Sequence, residues 1–349
     1  MTPSIPQTQS GYGFKRGQKT IQRYDNRKIV GPKGKEVLLK IEAAGLCSSD
    51  LHILLAQETY IPDSFIMGHE IAGQIVAVGE GLEDDEIFEI GGRFAMFIPD
   101  ACGICDQCRS GRDNTCKGNL GDAYGLSQDG GFQQYLLVKN LRALLPIPDG
   151  VSYEQAAITS DAVLTPFHAI QRASTHLKPG AKVLQMGMGG LGINALQILK
   201  NFGVYVVVCD IKPEAEELAK KYGADEFWVD PVDSDHLPES FDVCFDFCGF
   251  QETFDHCQRF VKTAGLVMVV GLGRSKLMMM NFHMGRREVK VIFSMGGTSL
   301  EQIECMEWVA AGKIKPLSTL VDMKDLPKYM EKLNKGEVLG RIVFNPSKL

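Results

Sequence analysis

KVLQMGMGGLG, residues 182–192, is an apolar strand-like run that turns directly into the glycine-rich stretch Gly187-Met188-Gly189-Gly190-Leu191-Gly192. This GxGxxG pattern also opens a helix-like segment. The first glycine permits a tight turn, the second lets a pyrophosphate approach the backbone, and the third lets helix and strand pack closely. The helix N-terminus then offers free N–H groups and a positive dipole end to phosphates. The stretch predicts a dinucleotide site.

An acidic residue after the next strand-like run supports this prediction. Asp210 follows VYVVVC, 18 positions beyond Gly192 (210 − 192). An acid at this position binds the ribose hydroxyls and repels a 2′-phosphate, so NAD(H) is favoured over NADP(H). Lys212 slightly weakens the preference for NAD(H), because a cation close to the ribose could pair with the 2′-phosphate of NADP(H). The alternative is that Asp210 only begins the turn before Pro213.

The pattern of predicted strands and helices changes near residue 161, which indicates a domain boundary there. Up to residue 160, short β-rich runs are separated by Gly, Pro and Asp, as is typical of a compact β domain. Over 161–298, apolar strands alternate with amphipathic helices, which indicates an α/β fold with a parallel sheet covered on both faces. One of these helices is predicted over residues 251–265. Residues 299–349 are expected to return to the first domain.

Bulk properties exclude several classes of protein. A chain of 349 residues is long enough for two cores, and its net charge of −6 gives no attraction to nucleic acids or anionic membranes. No stretch approaches the ~20 apolar residues of a membrane span, and the start has no secretory pattern. We therefore expect a cytoplasmic protein with neither nucleic-acid nor membrane partners.

Four of the ten cysteines crowd into a lobe at about residues 100–117: Cys102, Cys105, Cys108 and Cys116. Four thiolates close a tetrahedral shell and leave no position for chemistry, as in structural zinc sites. A nucleic-acid-binding zinc ribbon is the first alternative, but no basic surface accompanies these cysteines. An iron–sulfur cluster is the second, but nothing else in the sequence indicates electron transfer. Structural zinc is the preferred interpretation.

A second, more dispersed set of ligand types precedes the lobe. Gly68-His69-Glu70 follows an extended stretch, and Cys47 lies 22 positions before His69 (69 − 47). A thiolate, an imidazole and a carboxylate form the mixed ligand set of a catalytic zinc with an open coordination position. Taken singly, a buried cysteine or a hydrogen-bonded histidine is the simpler interpretation of each residue.

These motifs together resemble the zinc-dependent medium-chain alcohol dehydrogenase family. The resemblance rests on residues 45–52 (GLCSSDLH), the Gly-His-Glu motif, the cysteine lobe and the GxGxxG stretch, and it covers essentially the whole chain. Residues 160–168 (SDAVLTPFH) and 340–346 (GRIVFNP) are most similar to yeast carbonyl reductases and secondary-alcohol dehydrogenases. The family implies a GroES-like β-rich catalytic domain and a doubly wound Rossmann dinucleotide-binding domain.

The resemblance also implies the residues of the catalytic zinc site. Cys47 and His69 would be zinc ligands, and Asp161, which stands where many members have Cys, would be the third. Glu70 would be a nearby carboxylate able to enter the coordination sphere. Asp50 would orient the His69 ring.

Three further residues would handle substrate and cofactor. Ser49 would hydrogen-bond the substrate oxygen, His52 would complete a proton relay to solvent, and Arg341 would meet the cofactor pyrophosphate. Ser48 departs from the family, since many members place a basic or imidazole side chain there.

The resulting expectation is an enzyme that transfers a hydride between NAD(H) and an alcohol/ketone or aldehyde pair, with one catalytic and one structural zinc per chain. A homo-oligomer, dimer or tetramer, is expected. The alternatives are a polyol dehydrogenase of the same family and a non-catalytic relative. The non-catalytic relative would have lost zinc ligands, whereas every ligand type is present here.

Overall fold

The computed structural model of the protein describes residues 5–56, 61–118, 122–229 and 238–349. Contacts divide the chain into two compact units. The first comprises Met1–Ala162, Thr298–Ala310 and Leu317–Leu349, and the second comprises Val163–Gly297 and Ala311–Pro316. No helix within the described ranges is both long enough and apolar enough to cross a bilayer.

Strands and helices follow one another along both units. In the described residues the strands are β1 (Thr8–Lys15), β2 (Gln22–Lys28), β3 (Val37–Leu46), β4 (Ser64–Ile66), β5 (Glu70–Val78), β6 (Arg93–Met96), β7 (Tyr135–Val138), β8 (Leu144–Pro146), β9 (Lys182–Met186), β10 (Tyr205–Cys209), β11 (Glu226–Trp228), β12 (Phe241–Asp246), β13 (Val261–Val269), β14 (Lys290–Phe293), β15 (Ser318–Asp322) and β16 (Arg341–Asn345). The helices are α1 (Ser48–Ala56), α2 (Asp106–Arg109), α3 (Tyr153–Ile158), α4 (Leu164–Arg172), α5 (Gly190–Asn201), α6 (Ala215–Lys221), α7 (Gln251–Phe260), α8 (Asn281–Arg286), α9 (Ser299–Ala310) and α10 (Leu326–Asn334).

The first unit is built around a seven-stranded, mostly antiparallel sheet. Its order is β15-β16-β3-β5-β6-β8, with β7 also paired to β3. The long central strand β3 is antiparallel to both β5 and β16, so its carboxyl end lies beside the amino ends of those two strands. Buried aromatic rings, including Phe132 and Phe344 in edge-to-face contact, fill the core next to this sheet.

The second unit is a doubly wound α/β structure with a six-stranded parallel sheet. The strand order is β11-β10-β9-β12-β13-β14. Chain order reverses between β9 and β12, and ligands of such folds bind at the carboxyl ends of the strands at that reversal. The GxGxxG stretch follows β9 directly, so this sheet places it at the reversal point.

One predicted helix boundary is wrong. The helix expected over residues 251–265 ends at Phe260, and β13 begins at Val261. Ala264 has φ +56°, a left-handed conformation that an α-helix does not contain. Pairing of Val261 with Phe241 of β12 draws the backbone into the sheet instead.

The tail also departs from the predicted domain boundaries. The sequence predicts residues 299–349 in the first domain, but Ala311–Pro316 belongs to the second unit. The Gln197 amide of α5 explains this, because its Oε1 accepts from Lys315 N at 2.8 Å and its Nε2 donates to Lys315 O at 3.3 Å. Asn201 adds a bond to Lys313 O.

Candidate active site and metal centres

Three strand ends bring distant parts of the sequence together in the first unit. Cys47 directly follows β3, Glu70 begins β5, and Arg341 begins β16. Since β3 is antiparallel to both neighbours, these three residues meet at one end of the sheet. The register pairs Gly45 with Glu70 and Leu46 with Ile342.

Cys47, His69 and Asp161 form one compact group of metal-ligand atoms, all within 4.8 Å of one another. Cys47 Sγ lies 3.0 Å from Asp161 Oδ2, and His69 Nε2 lies 3.7 Å from the same oxygen. Asp161 reaches them from a widened π-type helical turn, Thr159–Val163, between α3 and α4. Such turns are rare and frequently mark functional sites.

Asp50 holds two of these ligand residues in place. Its side chain is fully buried, and its Oδ1 lies 3.3 Å from His69 Nδ1 while its Oδ2 accepts from Cys47 N at 2.9 Å. A carboxylate at Nδ1 orients the ring and favours a proton on that nitrogen, and Nε2 then faces Asp161. Burial alone would lower the pKa of His69, but the Asp50 charge and hydrogen bonds raise it well above the usual range.

Arg341 joins the site through two carboxylates. Its Nη2 lies 2.8 Å from Glu70 Oε1 and 3.0 Å from Asp161 Oδ2, and only 7% of its side chain is exposed. The predicted contact of Arg341 with a pyrophosphate stays a prediction. The sequence did not reveal this buried ion pair, because 180 positions separate Asp161 from Arg341 (341 − 161).

Glu70 lies beside the ligand group but outside it. Its Oε1 accepts from Ala162 N at 3.2 Å, whereas its buried Oε2 has no hydrogen-bond partner within the described residues. Burial raises the pKa of Glu70 to about 7, although the Arg341 charge opposes the shift. A Cβ on Gly45 would stand 1.9 Å from that Oε2, so only glycine leaves room for the carboxylate.

Ser49 and His52 lie one turn apart on α1. Residues three apart on a helix share a face, so the two residues lie on the same side of α1. Ser49 is half-buried, with its Oγ 3.7 Å from Cys47 Sγ, whereas His52 is exposed. The helix thus leads from the ligand group to solvent.

The cysteine lobe forms a second group of ligand atoms. The sulfurs of Cys102, Cys105, Cys108 and Cys116 lie within 4.8 Å of one another. Tetrahedral zinc with bonds of ~2.3 Å separates its sulfurs by about 3.8 Å, and Cys105 Sγ lies 4.0 Å from Cys116 Sγ. Backbone N–H groups of Cys108 and Lys117 lower the pKa of Cys105 to about 6, which favours its thiolate at neutral pH.

The lobe is tied to the rest of the first unit through Asp113. This residue lies between the last two cysteines, and its carboxylate accepts from Ser299 N at 3.1 Å and from Ser299 Oγ at 2.5 Å. These bonds satisfy groups at the start of α9, the usual function of an N-terminal cap.

In the second unit, the glycine stretch forms a tight turn before α5. Gly187 has φ +96°, which favours glycine, and a Cβ on Gly192 would meet Gly187 O at 2.1 Å. A Cβ on Gly189 would meet nothing within 4 Å, so space is open on that side, while Gly190 and Leu191 open α5. Asp210 Oδ2 accepts from Met188 N at 2.7 Å, and its Oδ1 accepts from Lys212 N.

Comparisons with known proteins define the family. Residues 33–149 match the model of the alcohol dehydrogenase GroES-like domain, and residues 190–311 match that of the zinc-binding dehydrogenases. An alcohol dehydrogenase of Geobacillus stearothermophilus is 31% identical over 88% of this chain and 91% of its own length. The chain therefore belongs to the zinc-dependent medium-chain alcohol dehydrogenase family.

Two further similar proteins are a ketone reductase and a polyol dehydrogenase. The solved structure of an acetophenone reductase from Geotrichum candidum, in complex with NAD, is 40% identical, covers 99% of both chains and superposes with a TM-score of 0.92. A sorbitol dehydrogenase of Bacillus subtilis is 35% identical over 68% of each chain. The family and its two-domain fold agree with the expectation from the sequence motifs.

Proposed function

We propose that this protein is a zinc- and NAD(H)-dependent oxidoreductase that interconverts ketones or aldehydes with alcohols. The observation that carries the proposal is the buried group of Cys47, His69 and Asp161, with the Ser49 hydroxyl beside it. The 40% identity to an acetophenone reductase supports a ketone with an apolar substituent as substrate. Sugar alcohols are the second candidate, supported by the sorbitol dehydrogenase relative.

The charges around the ligand group fit a divalent cation. The site holds four acidic groups, those of Cys47, Asp50, Glu70 and Asp161, against two basic groups, the Arg341 guanidinium and the His69 imidazole. Burial raises the pKa of the Cys47 thiol, so a metal is needed to stabilise its thiolate. A thiolate, an imidazole and one carboxylate are three protein ligands, which is the number found in catalytic zinc sites.

When bound, zinc polarises the substrate oxygen as a Lewis acid, and the nicotinamide gives or takes the hydride. The residues of the chain bind and orient the ligands of the site and transfer protons. Asp50 holds the His69 ring, and Arg341 neutralises Glu70 and Asp161. Ser49 donates its hydroxyl proton to the substrate oxygen during carbonyl reduction and takes it back during alcohol oxidation. His52, one turn along α1, exchanges that proton with solvent.

The preference for NAD(H) is part of the proposal and depends on Asp210. Asp210 directly follows β10, and its Oδ2 accepts from the Met188 N–H of the glycine turn. This position supports a role in which the carboxylate binds the ribose hydroxyls of NAD(H) and repels the 2′-phosphate of NADP(H). A cytoplasmic location, supported by ten free cysteines, and a homo-oligomer, dimer or tetramer, complete the proposal.

One substrate panel tests the proposal. Purified protein reconstituted with zinc is assayed for NADH oxidation with aryl ketones, aliphatic ketones, aldehydes and ketoses. The same substrates are then assayed with NADPH in place of NADH. We expect the highest kcat/KM for a ketone with NADH, and Asp210→Ala should narrow the difference between the cofactors. Highest activity on ketoses would favour a polyol dehydrogenase. No turnover of any carbonyl compound or alcohol by the zinc-loaded protein would refute the proposal.

A further inference from the structure

Gln185 is a fully buried amide beneath the glycine turn. It lies on β9, two residues before Gly187, and its side chain is 0% exposed. Its Nε2 donates to Gly187 O and to Gly192 O, each at 3.0 Å. One side-chain amide therefore joins the first and last glycines of the GxGxxG stretch.

The two partners determine how this amide is oriented. Both are carbonyl oxygens, which only accept, so Nε2 must face the turn. The Oε1 is then buried with no hydrogen-bond partner within the described residues. The strand neighbours of Gln185 are Val208 and Phe245, both buried. An apolar side chain would suit this position for packing alone, since an unpaired buried carbonyl is unfavourable.

The opposite side of the turn is held by different groups. Gly187 N donates to Cys209 O at 2.7 Å, and Met188 N donates to Asp210 Oδ2 at 2.7 Å. The N–H groups of Gly187 and Met188 are thus held by residues at the end of β10, and the carbonyl groups of Gly187 and Gly192 are held by Gln185. A Cβ on Gly189 would meet nothing within 4 Å, so the space above the second glycine stays open.

We propose that Gln185 is a positioning residue that holds the turn in the shape that receives the pyrophosphate of a dinucleotide. This inference rests on the proposed use of NAD(H). Gln185 does not touch the ligand; it determines where the turn amides and the start of α5 point. What distinguishes it from other buried amides is that its donor joins two carbonyls of the glycine turn itself.

The test compares Gln185→Met with the matched control Gln302→Met in the zinc-loaded full chain. Gln302 on α9 is also 0% exposed, donates to one backbone carbonyl (Met96 O, 3.2 Å) and has an unpaired Oε1, but lies in the other unit. The Kd for NADH is measured by fluorescence titration, alongside Tm, kcat and KM. Loss of two neutral hydrogen bonds should raise the Kd and KM for NADH about tenfold in Gln185→Met. Its kcat at saturating NADH should change by less than about threefold, and Gln302→Met should bind NADH like the wild type.

The outcomes separate the two proposals. An NADH Kd for Gln185→Met within twofold of the wild type, or an equal rise in both variants, overturns the positioning role. If the wild type binds only NADPH, the proposed use of NAD(H) fails, and the Kd for NADPH of Gln185→Met relative to the wild type then tests the positioning role. If the wild type binds neither cofactor, both proposals fail. Gln185→Glu, which keeps the side-chain length but loses the amide donors, replaces the Met variant if that chain does not fold. Misfolding of both Gln185 variants assigns the residue to the fold and overturns the proposal.

Discussion

The cysteine lobe and the Cys47–His69–Asp161 group hold their ligand atoms within the same 4.8 Å, but they are built in opposite ways. The lobe takes four sulfurs from residues 102–116, on short loops and the short helix α2, and backbone N–H groups of the lobe support them. The mixed group takes three different ligand types from positions 114 apart (161 − 47), inside a network of buried charges. A contiguous, complete ligand set stabilises local structure, whereas a dispersed, incomplete one leaves a position for substrate.

The largest expected effect on turnover comes from Asp161→Ala. Removing this carboxylate takes away one metal ligand and one partner of Arg341, so kcat/KM should fall by roughly a thousandfold or more. Metal analysis should find about one zinc per chain, held in the lobe.

Asp113→Ala is the control, because Asp113 is a buried carboxylate of the lobe that bonds Ser299 rather than sulfur. That variant should keep both ions and most of the turnover. Full activity and zinc content in Asp161→Ala would instead favour Glu70 as the carboxylate ligand.

Ser49→Ala ranks next. If its hydroxyl contacts the reacting oxygen, losing it should lower kcat by roughly 10²–10⁴-fold, the range for groups that take part in proton transfer. Zinc content should not change, since Ser49 lies beside Cys47 without belonging to the ligand group. Activity close to that of the wild type would remove Ser49 from the reaction.

His52→Gln should have a smaller effect than Ser49→Ala. His52 is exposed and meets solvent, so its loss should cost about tenfold to a hundredfold. Small buffer bases should restore part of the alcohol oxidation rate, because a diffusing base replaces an outer relay group. The same buffers should not rescue Ser49→Ala. A His52 variant as inactive as Ser49→Ala and insensitive to buffer would exclude the relay.

Cys116→Ser should affect turnover least and stability most. Losing one of four thiolates should release the lobe zinc and lower Tm by roughly 5–10 °C. Initial turnover per folded molecule should fall by less than about threefold. Cys305→Ser is the matched control, since Cys305 is buried in the same unit but outside both ligand groups. Zinc content in Cys116→Ser equal to that of the wild type would mean that the lobe holds no ion.

The same contrast explains what could be predicted from sequence. The lobe and the glycine turn are local, so spacing alone indicated their residues, and the family resemblance supplied Asp161 and Asp50. The pairing of Arg341 with Glu70 and Asp161 depends on three strands meeting, which no local pattern encodes. Gln185 was missed for a related reason: a lone polar residue in an apolar strand is a weak signal until its partners are known.

Two segment boundaries were missed because tertiary contacts override local preference. Residues 261–265 extend a helical pattern in the sequence, yet they belong to β13, in which Val261 pairs with Phe241 of β12. Ala311–Pro316 separates from the rest of the tail through bonds to Gln197 and Asn201, and nothing within those six residues indicates this.

The pairing of β16 with β3 has a consequence for the order of synthesis. Ile342 pairs with Leu46 across 296 positions (342 − 46), so nearly the whole chain must leave the ribosome before the central sheet is complete. Most of the second unit, Val163–Gly297, is contiguous and emerges earlier. Until residue 341 arrives, Glu70 and Asp161 lack their guanidinium partner. A chain that terminates before residue 341 would therefore contain the whole second unit but lack the guanidinium that pairs with Glu70 and Asp161.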